Sequence, residues 1–139
     1  MAREIKFRGK YTLPFHEVGK PVVYFWVYGS LIMCCDKTDI VESDGNIRQD
    51  INPQTIGQFT GLHDKNGKEI YEGDIIRCYG SKGDEIKHIV EYSDKEAMFC
   101  TKLIGADMLG GSITQRWLNE FEFEVIGNIY DNPELLKED

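Results

Sequence analysis

The sequence predicts a mainly β protein. An N-terminal β-sheet region spans residues 1–59, and a compact barrel-like β region with one or two short helices spans 60–139; the two are able to form one compact domain. Three observations carry this. Turn-forming clusters recur at short intervals, as in Glu42-Ser43-Asp44-Gly45-Asn46, Asp64-Lys65-Asn66-Gly67 and Gly80-Ser81-Lys82-Gly83-Asp84. The segments between them are short and rich in β-branched and aromatic residues. Period-two alternation is evident at the start of the chain, whereas helical spacing is confined to short pieces late in it.

Taken in order, Arg3 to Arg8 alternates, with Ile5 and Phe7 on one face and Glu4, Lys6 and Arg8 on the other, which predicts a half-buried strand. Its alternating charges suit an exposed sheet edge, where they discourage stray pairing. Pro14 and Gly19-Lys20-Pro21 mark a loop. Val22 to Tyr28 is expected to pair with Leu31 to Cys35 across Gly29-Ser30, forming the most apolar hairpin of the chain. The Glu42 to Asn46 turn joins Ile40-Val41 to Ile47-Arg48, and Asn52-Pro53 closes the first half before Gln54 to Phe59. In the central stretch, Asn66-Gly67 suits the φ > 0 positions of a type I′ hairpin, while Gly73-Asp74 bends the chain into Ile75 to Tyr79. Asp64, Asn66, Gly67, Gly73 and Asp74 are therefore structural turn residues, and Asp74 is placed to accept a backbone N–H that fixes its bend.

Further strands are expected at Ile86 to Tyr92, Ala97 to Leu103 and Phe123 to Tyr130. Strands at this spacing suggest a small barrel, and Glu72-Gly73-Asp74-Ile75 resembles the first strand of SH3-like barrels. Ser112-Ile113-Thr114-Gln115 has capping-box spacing ahead of a helix whose Ile113, Trp117, Leu118 and Phe121 share a face. Asn132 caps a last turn that has Pro133 at its first position, and Lys137-Glu138-Asp139 frays.

The run from Thr60 to Ile76 carries a family resemblance. Joined with the opening Arg3 to Lys10, with Trp26 to Leu31, with Ile51 to Phe59 and with the closing Phe123 to Leu136, it resembles the YopX family of small proteins encoded by bacteriophages and prophages. The match follows nearly the whole chain in order and is least clear between Tyr79 and Glu122. The resemblance implies a phage or prophage origin and a mainly β fold. It carries over no catalytic residue.

Bulk properties narrow the classes. A chain of 139 residues buries roughly 68% of its unfolded surface, enough for stability without disulfides or metal. With 16 Lys and Arg against 24 Asp and Glu the net charge is −8, which disfavours loose association with nucleic acid. The opening Met1-Ala2-Arg3-Glu4 leads into no apolar signal segment. The greasiest stretch, Val22 to Cys35, is too short to span a bilayer. A cytoplasmic protein of a bacterial host cell, without a membrane partner, is expected. Cys34, Cys35, Cys78 and Cys100 contain no Cys-x-x-Cys pair, and in a reducing compartment they are expected to act as small apolar residues.

Motifs suggestive of chemistry fail on inspection. Gly61 and Gly67-Lys68 are spaced one residue too far apart for a phosphate loop, and Glu69 stands where a magnesium-binding hydroxyl is required. An EF-hand reading of Asp64 and Asn66 puts Lys68 at a ligand position and Glu69 at the obligatory glycine. His16, His63 and His88 lack partners at helical metal spacing. His88 and Cys100 fall on neighbouring predicted strands, but no electropositive setting for a thiolate is visible. The acids Asp36, Asp39, Glu42, Asp44 and Glu69, Glu72, Asp74 sit beside lysines in turns, as a solvated rim does. No cofactor or metal is expected, and no catalytic constellation is found.

Two surfaces remain. Tyr24, Phe25, Trp26 and Tyr28 place large rings on both faces of one strand, which asks for cover on both faces. A protein interface near Val22 to Met33 follows, most simply between copies of a homo-oligomer and otherwise with a host or phage protein. The alternative is cover within one chain, by the first strand and the Ser112 to Phe121 segment. Arg3, Lys6, Arg8 and Lys10, interleaved with Phe7 and Tyr11, form a basic start of the kind that binds single-stranded nucleic acid on barrels. The expected function is a non-enzymatic protein-binding or self-assembling module. The alternatives are a single-stranded nucleic-acid-binding barrel and, more weakly, a metal-assisted hydrolase using the clustered carboxylates.

Overall fold

A computed structural model describes residues 3–13, 17–106 and 109–137. The loop proline Pro14, the histidine His16 and the terminal Glu138-Asp139 lie outside the described residues. The chain divides into two compact units, Met1–Phe59 and Thr60–Asp139.

In the first unit, β1 (Phe7–Thr12), β2 (Tyr24–Cys34), β3 (Lys37–Val41), β4 (Ile47–Arg48) and β5 (Asn52–His63) stand in the order β4-β3-β2-β1-β5, each neighbouring pair antiparallel. Three expectations need correction. The first strand begins at Phe7, not Arg3, and it lies between β2 and β5 instead of forming an edge. Ile5, assigned to its buried face, is exposed. The alternation from Arg3 to Arg8 is real, but it runs on through Tyr11, and sequence alone does not reveal which end of such a pattern finds ladder partners.

The second correction concerns the aromatic hairpin. Gly29-Ser30 is not a turn, because β2 runs straight through it for 11 residues. The reversal occurs at Cys35-Asp36, both with φ > 0 (54° and 65°), and Cys34 faces Lys37 across it. Gly29 serves a different need: a Cβ there would overlap the carbonyl oxygen of Val41, so glycine lets β3 approach. Third, Asn52-Pro53 starts β5 instead of closing the half. The β1–β5 register jumps between Arg8↔Gly57 and Lys10↔Asn52. In that bulge Thr55 Oγ1 accepts the Lys10 N–H at 2.8 Å and donates to the Asn52 carbonyl at 2.7 Å. A bulge removes residues from the ladder, and so accommodates Pro53. The Glu42 to Asn46 turn forms where expected, with Val41 opposite Ile47 and the Glu42 N–H bonded to the Asn46 carbonyl. Val27, Ile40 and Ile51 make a small buried core, packed by Tyr11, Phe25, Leu31 and Ile56.

Beyond Phe59, β5 continues into the second unit and is followed by β6 (Glu69–Tyr71), its neighbour in the sheet. The second unit then builds β7 (Asp74–Tyr79), β8 (Glu85–Ser93), β9 (Met98–Leu103), β10 (Leu109–Ser112), helix α1 (Gln115–Glu120), β11 (Glu124–Asn128) and a 3₁₀ turn (Pro133–Leu136). Its antiparallel sheet is ordered β10-β9-β8-β7-β11. The mainly β class holds throughout. The barrel does not close among the described residues, since β10 and β11 are the two edges of an open sheet.

Strand β10 has no counterpart in the sequence reading, because Gly110 and Gly111 argue against a strand. A Cβ at Gly110 would overlap Thr101 Oγ1, so the missing side chain is what lets β10 reach β9. The helix is capped by Thr114, whose Oγ1 accepts the Trp117 N–H at 3.1 Å, not by Ser112, which ends β10. At six residues it cannot stand alone, and Leu118, fully buried, docks it on the sheet. Asn132 precedes the last turn as expected but makes no capping bond there; its Oδ1 accepts the Asn128 N–H instead. Ile70, Ile76, Cys78, Val90, Ile113, Leu118 and Phe123 form the core of this unit, with Leu62, Ile86, Phe99, Trp117 and Val125 packed against them.

Candidate functional site

The strand β2 decides the surface of the first unit. Its odd residues Phe25, Val27 and Leu31 turn to the small core. On the opposite face, alternation aligns Tyr24, Trp26, Tyr28, Ser30, Ile32 and Cys34. All of these except Trp26 are exposed, with Tyr24 at 54%, Tyr28 at 45% and Ile32 at 42%. Met33, next in the core-facing alternation, lies outside the core cluster and is 70% exposed. The backbone adds a second feature. β1 pairs with Tyr24 to Gly29, so among the described residues Ser30 to Cys34 has a ladder partner on the β3 side alone.

The basic residues meet this face. Register puts Arg8 opposite Tyr28 and Lys10 opposite Trp26. The Arg8 guanidinium lies 4.6 Å from the Trp26 ring centre, and the Lys10 ammonium lies 5.5 Å from both Tyr24 and Trp26. Lys6 sits 5.1 Å over Phe59 and pairs with Glu4 at 3.0 Å. Arg8 is buried, Lys6 and Lys10 are half-buried, and Arg3 is exposed. Tyr24, Trp26 and Tyr28 of the aromatic set thus share one face with Arg8 and Lys10 of the basic set, while Phe25 turns to the core and Arg3 lies ahead of β1. The β1–β2 register creates that juxtaposition, and no local motif announces it.

The turn residues of the second unit are anchored from below. Asp64 is buried; its Oδ1 accepts the N–H groups of Asn66 (2.8 Å) and Lys68 (2.9 Å), and its Oδ2 accepts that of Val125 on β11 (2.9 Å). The Lys65 N–H adds a bond to the Phe123 carbonyl. Only Gly67 in this turn takes φ > 0 (81°), so the hairpin is a type I turn closed by a glycine bulge, not the expected type I′. Asn66 contributes its backbone N–H, where a left-handed conformation was expected. Gly73 (φ 89°) shapes the next bend, and Asp74 Oδ2 accepts the Tyr71 N–H at 2.8 Å.

Groups with reactive potential are dispersed. His88 Nδ1 lies 3.1 Å from Thr101 Oγ1, and its ring stands edge-on to Trp117 and Phe123. Burial pushes His88 below the usual histidine range. The β8–β9 register sets His88 opposite Leu103 and Cys100 opposite Glu91, so the two are not ladder neighbours. Burial, then the Glu91 carboxylate, push the Cys100 thiol up, and burial with Asp84 does the same to Cys78. Both thiols are buried. Cys34 and Cys35 are exposed instead of behaving as apolar core, because they stand at the β2–β3 turn, beyond the last β1–β2 pair at Phe7↔Gly29. His63 is exposed, and its backbone N–H and C=O are both bonded by the Gln115 side chain. Asp39 accepts the Asp50 N–H, Glu42 pairs with Arg48 at 3.0 Å, Asp44 accepts the Asn46 N–H, and Glu69 accepts the Tyr71 hydroxyl. Among the described residues no three His, Cys, Asp or Glu converge as a metal site would require. A shallow groove of about 560 Å³ runs over Ile86, Leu103 and Ile104, with Lys87 committed to the Leu135 carbonyl at 3.0 Å. No helix among the described residues is long and apolar enough to cross a membrane.

The family profile described as YopX protein matches residues 28–137, and the chain belongs to the YopX family. No curated protein matches it. Among solved structures it is similar to the crystal structure of protein EF1440 from Enterococcus faecalis, with 22% identity and a TM-score of 0.52, over 98% of this chain and 100% of that one. At that identity the likeness concerns the fold.

Proposed function

From membership of the YopX family we infer that this chain is a phage or prophage accessory protein of the host cytoplasm. It works without catalysis, by binding other proteins and first of all a second copy of itself. One observation carries the reading: the exposed stripe of Tyr24, Tyr28 and Ile32 on β2 runs through a segment, Ser30 to Cys34, whose backbone is paired on one side only among the described residues. An apolar stripe beside an open strand edge offers both pockets for side chains and main-chain hydrogen bonds, as strand addition requires. Light scattering on the full chain tests it. A dimer or larger species is expected, and Ile32→Glu with Met33→Glu shifts it to monomer while the circular dichroism spectrum is kept. A clean monomer that also captures no host or phage protein during infection overturns the reading.

The nucleic-acid alternative has one observation in its favour: Lys10 and Arg8 stack on Trp26 on the same face as Tyr24. The burial of Arg8 and the charge of −8 weigh against it. It requires an oligonucleotide to bind with steep salt dependence, and binding to fall with Arg3→Glu and Lys10→Glu. The hydrolase alternative finds no converging set of acids among the described residues.

A further inference from the structure

The geometry points to a reversible two-electron thiol switch at the β2–β3 turn, where Cys34 and Cys35 close to a vicinal disulfide when a small disulfide such as oxidised glutathione supplies the oxidant. Three observations support it. Both residues are exposed, and their sulfurs lie 3.2 Å apart. Cys35 sits at φ 54° in the first loop position of a two-residue turn, a left-handed site that Asn, Asp or Gly fill at lower cost. A residue held there against its preference is a candidate for function. Finally, the other two cysteines are buried, so this pair alone among the four meets a dissolved oxidant.

The chemistry balances without a further component. Both sulfurs are exposed and within reach of each other, so either can open the sequence; Cys35 is taken as the first nucleophile. As a thiolate it attacks one sulfur of the oxidant, breaks the oxidant's S–S bond and forms a mixed disulfide, releasing one small thiolate. Cys34, deprotonated by solvent, then attacks the Cys35 sulfur, forms the Cys34–Cys35 bond and expels the second small thiolate. Two electrons pass from protein to oxidant, and the two protons end on the released thiols.

Closure requires the sulfurs to approach by about 1.2 Å. Adjacent residues hold their Cα atoms ~3.8 Å apart, short of the roughly 4.4–6.8 Å at which disulfides are unstrained. The bond is therefore more easily reduced than a structural one, as a switch requires. Its effect lies at the exposed end of β2, where ring closure constrains the Cys34–Cys35 peptide. The inference does not depend on the proposed self-association.

The test uses the full reduced chain, desalted and incubated with oxidised glutathione. Mass spectrometry is expected to find a monomer lighter by two hydrogens, with the link mapped to the peptide holding Cys34 and Cys35 and reversed by dithiothreitol. Cys34→Ser should stop at a glutathione adduct on Cys35, whereas Cys78→Ser should leave the product unchanged. A stable glutathione adduct on the unaltered chain, or a disulfide between two copies as the main product, overturns the proposal. Phenylarsine oxide gives a second readout. Reduced chain should retain it through both sulfurs and lose it on either Cys34→Ser or Cys35→Ser; retention equal to that of the single variants overturns the shared reach of the two thiols.

Discussion

Two turns of similar composition show how the units differ. In Ser43-Asp44-Gly45-Asn46 of the first unit, Asp44 is exposed and accepts the Asn46 N–H at 2.9 Å. In Asp64-Lys65-Asn66-Gly67 of the second, Asp64 makes the same bond to Asn66 but is buried, and also holds Lys68 and the β11 residue Val125. One motif closes a turn; the other ties a turn to a distant strand. The cores differ in the same direction. The core cluster of the first unit holds Val27, Ile40 and Ile51, with Tyr24, Tyr28, Ile32, Met33 and Ile47 among the residues left exposed, while that of the second holds seven residues, Phe123 among them, with Tyr79, Tyr92, Phe121 and Leu136 exposed. Apolar surface kept out of a core contributes nothing to folding and remains available for recognition.

The contrast can be broken at several levels. Phe123→Ala, which removes a ring 4.3 Å from that of Trp117, should cost about 4 kcal/mol, against about 3 kcal/mol for Ile40→Ala in the smaller cluster. Native-state hydrogen exchange, read unit by unit, checks this, and equal losses would erase the distinction. Asp64→Ala should cost about 3 kcal/mol because three backbone donors lose their acceptor, whereas Asp44→Ala should stay within about 0.5 kcal/mol. Denaturant titration of the two variants compares them directly. Gly29→Ala forces a methyl group onto the Val41 carbonyl and should cost about 2 kcal/mol, with exchange accelerated in β2 and β3.

The smallest effect concerns pH. His88 is held below its ordinary value of 6.5 in the folded chain. As pH falls below that value the unfolded chain takes up a proton that the folded chain refuses, so stability drops by up to about 1.4 kcal/mol per pH unit. Above it this contribution is level. His88→Gln should flatten the His88 part of the slope; an unchanged slope would mean that the imidazole accepts its proton in place.

Much of the second unit was legible because its signals are local. The turns at Gly80 to Asp84 and Ser93 to Glu96 separate runs of strand-forming residues, and β7, β8 and β9 follow within a residue or so. β10 was not, because its glycines are needed by a neighbour and not by the strand itself. In the first unit Gly29 misled for the same reason: a glycine in a turn and a glycine beneath a neighbouring carbonyl read alike. The aromatic residues of β2 were visible as a stripe, but their meeting with Arg8 and Lys10 was not, since register is set by pairing between segments that no spacing rule connects.

The order of residues along the chain determined the mainly β class, most of the turns and the alternation that gives β2 a core face and an outer face, because each depends on neighbours within a few positions. Tertiary structure alone decided which strand lies inside the sheet, where the aromatic ribbon reverses and which aspartate is buried. Those outcomes depend on contacts between distant segments, whose close approach is rewarded only after the chain has folded.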